Sequence, residues 1–144
     1  MRIMAIEDNS ADQLLLREVA ADTDPALLLT FVATGVQALA LLQRLLVQSP
    51  AELPHLILLD LGLPGMTGFE VLGVLKGTPG LCRIPVVMLS VSDVPENVTR
   101  AYQEQASGFI TKPTDYTTFQ VAFAASMRFW TQAAFPLPGA AASG

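Results

Sequence analysis

Three carboxylates, a hydroxyl and an ammonium stand at the ends of short apolar runs in this chain. Asp60 closes Leu56-Ile57-Leu58-Leu59 and opens onto Leu61-Gly62-Leu63-Pro64-Gly65. Glu7-Asp8 follows Arg2–Ile6, Ser90 follows Pro85–Leu89, and Lys112 follows Gly108–Thr111. Taken alone, Asp60 reads equally as a reactive acid at a sheet edge and as a turn aspartate satisfying loop amides. Glu7-Asp8 alone reads as a complement to a helix dipole, and Lys112 alone as a solvated strand end. Together they read differently. Three acids on one rim repel and raise one another's pKa unless a cation joins them. Mg²⁺, which takes a few carboxylates and keeps several waters, would relieve that repulsion. Metal, carboxylate, lysine and hydroxyl suit phosphoryl transfer: cations neutralise the equatorial oxygens while a carboxylate oxygen attacks in line. Pro113 follows Lys112, and a cis bond there would turn the chain sharply and aim the lysine inward.

Such a rim needs a sheet beneath it. Strands are expected at Arg2–Ile6, Leu27–Val32, Leu56–Asp60, Pro85–Leu89 and Gly108–Thr111, and helices at Ser10–Asp22, Gly35–Val47, Gly68–Gly77, Pro95–Gln105 and Asp115–Trp130. Strict β/α alternation implies a doubly wound α/β domain with a parallel five-stranded sheet and helices on both faces. The first, third and fourth strands lack polar alternation and should be central. Asn9 or Ser10 with Asp12 is a cap for the first helix, and Pro95 with Glu96 opens the fourth. Gln48–Pro54 and Thr78-Pro79-Gly80 read as loops. Val36, Leu39, Leu42 and Leu46 mark a buried face of the second helix. The last helix carries two apolar stripes: Phe119, Phe123, Met127 and Trp130 as core, and Val121, Ala125 and Phe129 about 140° away. The second reads equally as a partner surface and as burial beneath the tail.

At 144 residues the chain fits one domain with a sizeable core, and 51% hydrophobic against 15% charged residues means much of it must be buried. No apolar stretch reaches the length of a membrane span. The opening run is broken at once by Glu7-Asp8, so it is not read as a signal peptide. Cys82 is the only cysteine, which suits a reducing cytoplasm. A net charge of −5 with scattered basic residues argues against a nucleic-acid surface. His55, alone before the third strand, reads as structural.

Glu7-Asp8-Asn9, Leu59-Asp60-Leu61-Gly62-Leu63-Pro64 with Gly68, Val87-Met88-Leu89-Ser90 and Gly108-Phe109-Ile110-Thr111-Lys112-Pro113 resemble the signature segments of the response-regulator receiver domain, in order, over about residues 2–130. Glu7-Asp8-Asn9-Ser10-Ala11-Asp12, the long second helix and Phe129-Trp130 resemble the single-domain regulators paired with bacterial phytochrome kinases. The resemblance implies a flavodoxin-like fold with strand order 2-1-3-4-5, a receiver domain at 1–130 and an Ala/Pro/Gly-rich tail at 131–144. It implies that Asp60 accepts a phosphoryl group from a sensor histidine kinase or phosphotransfer protein. Asp8 would bind Mg²⁺ directly, Glu7 through water, and Gly62 through its backbone carbonyl. Lys112 would pair with phosphoryl oxygens, while Ser90 and Phe109 would turn inward and repack the face of the fourth and fifth helices and fifth strand. The chain would be an enzyme only toward its own phosphorylation and dephosphorylation, with output through protein contact, a homodimer through the last helix, or service as a phosphate sink. Phe135-Pro136-Leu137-Pro138 would be free to dock as an arm.

Some positions depart from the family's habits. Thr67 stands where an acid or amide is common, Gln105 where glycine is common, and Phe109 lacks a hydroxyl, so its switching must be steric. Gly62 and Ser92, two residues beyond Asp60 and Ser90, leave the lifetime of an acyl phosphate open. An aspartyl-phosphate hydrolase would want an aspartate at position 62 as acid/base. A flavin domain would want a hydroxyl- and glycine-rich loop where Glu7-Asp8 would repel phosphate. A receiver used only for binding would have no need of the full set Glu7, Asp8, Asp60, Ser90 and Lys112.

Overall fold

The computed structural model describes residues 1–91, 94–112 and 115–132. Five parallel strands form one sheet in the order β2-β1-β3-β4-β5, as expected. They are β1 (Arg2–Ile6), β2 (Leu28–Val32), β3 (Leu56–Asp60), β4 (Val86–Ser90) and β5 (Gly108–Thr111). The helices are α1 (Ser10–Thr23), α2 (Gly35–Gln48), α3 (Gly68–Gly77), α4 (Pro95–Gln103) and α5 (Tyr116–Gln132).

The apolar strands β1, β3 and β4 are the interior ones, and their side chains divide by parity. Met4, Ile6, Ile57, Leu59, Val86 and Met88 enter the core beneath α2, α3 and α4. Ile3, Ala5, Leu56, Leu58, Val87 and Leu89 enter the second core beneath α1 and α5. Both faces are covered, which is why these strands read as unbroken hydrophobic runs.

Most element bounds match the sequence pattern, and the differences have local causes. The Gln48–Pro54 connection holds a short 3₁₀ turn at Pro50–Glu52. Its carbonyls are tied down by Arg2, whose guanidinium donates to Ala51 O and Leu53 O. Val36 was expected on the buried face of α2 but is 65% exposed. The buried arc of that helix is set by Gly35, Ala38, Leu39 and Leu42, and Val36 lies about 110° from its centre at 100° per residue. α4 stops at Gln103 rather than Gln105, because Gln105 turns left-handed with φ +74°. Gln105 N–H donates to Tyr102 O and Ala106 N–H to Ala101 O, the paired bonds of a Schellman ending. That explains why the family favours glycine there.

α5 continues to Gln132, past the expected boundary at Trp130. Its first stripe is core: Phe119, Phe123 and Met127 are buried and Trp130 packs against them. Its second stripe is bare, with Val121, Ala125 and Phe129 exposed. The Lys112–Pro113 bond, Ser92, and residues 133–144 with the Phe135–Pro138 segment lie outside the described residues.

Candidate functional site

Three backbone hydrogen bonds continue the ladders one residue past the strand ends and build the rim. Glu7 N–H donates to Val32 O, Leu61 N–H to Leu89 O, and Lys112 N–H to Ser90 O. Parity then decides which side chains meet. Glu7 continues the Ile3–Ala5 row, Asp60 the Leu56–Leu58 row, and Lys112 follows Ile110, all on the α1/α5 side of the sheet. They converge on the Lys112 ammonium. Its Nζ lies 2.5 Å from Glu7 Oε2, 2.9 Å from Asp12 Oδ2 and 3.1 Å from Asp60 Oδ2.

The acids are held as firmly as the lysine. Glu7 is fully buried, and its Oε1 accepts the Asn9 N–H at 3.1 Å. Asp60 is buried, with Oδ1 accepting the Gly62 N–H at 3.0 Å. Asp8 is exposed, facing the mouth of a depression of about 360 Å³. Its walls include Asp60, Gly62, Ser90 and Lys112. Carboxylate oxygens of Glu7, Asp8 and Asp60 all lie within 4.8 Å of one another.

Burial pushes the Glu7 carboxyl up to about 7, against the opposing pull of the Lys112 ammonium and the Asn9 N–H. Burial draws the Lys112 ammonium down, but its bonds to Glu7 and Asp12 outweigh this and leave it above its ordinary value. One lysine is therefore shared by three carboxylates, with Asp8 a fourth acid nearby. The excess negative charge, the oxygen-only donor set and the solvent-facing Asp8 fit a hard divalent cation.

The loop from Leu61 to Thr67 folds back so that α3 begins directly against the end of β3. Thr67 caps α3: its Oγ1 accepts the Glu70 N–H at 3.2 Å and donates to Glu70 Oε1 at 3.3 Å. The departure at Thr67 thus acts on the helix start, as expected. Gly68 is required by contact, since a Cβ there would meet Asp60 O at 2.6 Å and Leu61 Cα at 2.8 Å.

Ser90 and Phe109 follow the other parity. Ser90 is buried at the end of β4 and borders the acidic depression. Phe109 is half-buried against the α2/α3/α4 core. It also lines a groove of about 440 Å³ with Tyr102 of α4 and Thr118, Ala122 and Ser126 of α5. His55 is structural, as expected: its Nδ1 accepts the Arg2 N–H at 2.9 Å.

The sequence pattern gives Asp12 only a part in a helix cap. Asn9 is that cap, its side chain accepting the Asp12 N–H, and the Asp12 carboxylate is freed to bind Lys112. The pair is 100 residues apart. No local pattern signals it, because the partner lies just past the end of the chain's last strand.

The family model of the response regulator receiver domain matches residues 3–124. Response regulator Rcp1 of Synechocystis sp. is 37% identical over 110 residues, covering 76% of this chain and 75% of Rcp1. The solved Mn²⁺-bound form of Rcp1 superposes with a TM-score of 0.80 at 33% identity, over 94% of this chain and 98% of Rcp1's. The phosphorylated cyanobacterial phytochrome response regulator RcpA gives 0.83 at 34% identity, over 94% and 97%. The bacteriophytochrome response regulator AtBRR gives 0.70 at 32% identity, over 87% and 89%. A doubly wound sheet in this order, an acid-and-lysine rim at its carboxyl edge and these likenesses agree: the chain belongs to the response-regulator receiver family of two-component signalling.

Proposed function

We propose that Asp60 accepts a phosphoryl group from a phosphohistidine of a sensor kinase or phosphotransfer protein. The observation that carries this reading is Lys112 Nζ at 3.1 Å from Asp60 Oδ2, beside the clustered carboxylates of Glu7 and Asp8. An Asp60 carboxylate oxygen attacks phosphorus, the P–O bond forms as the P–N bond to the donor imidazole breaks, and the imidazole nitrogen takes up a proton. Gly62 N–H and Lys112 fix the orientation of the attacking carboxylate. Asp8 and Asp60 with the Gly62 carbonyl would hold Mg²⁺, with Glu7 reaching it through water, and the ion would supply charge neutralisation for the transferring oxygens. Both Glu7 oxygens are already engaged by Asn9 and Lys112, which favours the indirect role for that acid.

The added charge then draws Ser90 toward the phosphoryl group, and Phe109 follows into the space left behind. The groove between α4 and α5 is remodelled as a result. The chain's chemistry is its own phosphorylation and dephosphorylation. A cytoplasmic phytochrome kinase is the proposed donor, supported by the likeness to RcpA and AtBRR. The bare stripe of Val121, Ala125 and Phe129 supports a homodimer through α5.

Incubation with acetyl phosphate and Mg²⁺, read by intact mass, tests the reading. A single phosphoryl adduct is expected in the wild type, absent with a chelator and absent in Asp60→Asn. An adduct that persists in Asp60→Asn, or none in the wild type from either acetyl phosphate or a phosphorylated kinase, contradicts it.

A further inference from the structure

An ammonium has three N–H donors, and in this resting site all three face carboxylates. Glu7 and Asp60 are buried and belong to the cluster that fits a divalent ion. Asp12 does not belong to it. Its side chain is 33% exposed and sits on the first turn of α1, held in place because its own N–H donates to Asn9. Acylation of Asp60 ends its ion pair with Lys112 and places three phosphoryl oxygens beyond the former carboxylate, so the ammonium must move to follow them. That movement lengthens its contacts to Glu7 and Asp12, and the one that yields is the one that is solvated when released and that no cation claims.

We propose that Asp12 is a positioning residue that holds Lys112 toward α1 in the resting state and competes with the phosphoryl oxygens for the ammonium. This rests on the reading of Asp60 as phosphoacceptor. Asp12 thereby sets how readily the phosphorylated state is reached, without touching the reacting atoms. The Lys112 head group moves from an α1 carboxylate to the phosphoryl group, and the first turn of α1 loses its tether to the β5 edge.

The test compares wild type with Asp12→Asn, each titrated with beryllofluoride (a phosphoryl mimic) at saturating Mg²⁺. Asp12→Asn keeps the size of the side chain but removes its charge. Its beryllofluoride affinity should rise about three- to tenfold, the scale of one partly exposed charge-assisted contact. Because the effect is a contact and not a distant field, the gain should survive about 0.5 M salt, where exposed charges are screened within a few ångströms. The Lys112 ammonium resonance should differ between wild type and variant at rest and coincide once both are saturated with the mimic.

Equal or weaker binding by Asp12→Asn, a gain erased by salt, or Lys112 resonances that still differ in the saturated forms would overturn the proposal. If wild type itself binds no beryllofluoride, the phosphoacceptor reading fails and takes this inference with it. If wild type binds and the variant is unchanged, the inference alone fails.

Discussion

One chemical change at two glycines of the same helix should move stability in opposite directions. Gly68 is the first residue of α3 and Gly73 lies on its solvent side. A Cβ at Gly68 would stand 2.6 Å from Asp60 O and 2.8 Å from Leu61 Cα. Both are backbone atoms, so no rotamer change relieves the clash. Either α3 lifts off the sheet or the end of β3 shifts. Overpacking of this kind costs about 1–3 kcal/mol. At Gly73 an added Cβ meets nothing within 4 Å among the described residues, and replacing a helix-interior glycine with alanine gains about 0.5–1 kcal/mol. Urea unfolding of Gly68→Ala and Gly73→Ala, fitted with a shared slope, reads both signs directly. Gly68→Ala should also slow acetyl-phosphate labelling, because the displaced atoms carry Asp60, while Gly73→Ala should label at the wild-type rate. A Gly68→Ala midpoint at or above wild type would refute the close packing of α3 on β3. So would a Gly73→Ala loss as large as that at Gly68.

Three further outcomes follow from the same geometry. Gln105→Gly should raise stability by about 0.5–1 kcal/mol, since it removes the left-handed strain of a residue with a Cβ; a lower urea midpoint would contradict the Schellman ending of α4. Burial, then the charges of Arg2 and the N-terminus, holds the His55 pKa below its ordinary 6.5. The unfolded chain therefore takes up the proton first as pH falls. The neutral imidazole's contribution is complete above about 6.5 and lost as pH drops through the window below it. His55→Gln should flatten the pH dependence of the urea midpoint there, and an unchanged slope would remove His55 from the account. Sedimentation should show a homodimer that Phe129→Lys with Val121→Lys dissociates without loss of helicity; a wild-type monomer with and without beryllofluoride would contradict the α5 interface.

The sheet and most of the rim were legible because β/α alternation and two-residue strand parity are local patterns. Leu56–Asp60 and Gly108–Thr111 announce themselves as strands, and their last residues then fall where a parallel sheet puts its chemistry. What stayed hidden depends on distance in sequence or on the direction of the core. Asp12 binds Lys112 across 100 residues, and a local reading could give it only a helix-start role. Val36 belongs to the apolar pattern of α2, yet the packing of Ala38 and Leu42 turns it outward. The departure at Gln105 was visible as a missing glycine, but not as the left-handed turn that ends α4. The shared Lys112 ammonium was equally out of reach, since strand ends say which residues lie on the rim and not which oxygens meet.

The central claim is that Asp60 carries the phosphoryl group. Borohydride reduces an acyl phosphate on aspartate to homoserine, so labelling with acetyl phosphate and Mg²⁺ followed by reduction and peptide mapping locates the group. The account predicts homoserine at position 60 and nowhere else, and its absence when Mg²⁺ is withheld. Homoserine at position 8 or 12, or a phosphoryl group that resists hydride on another side chain, would contradict it.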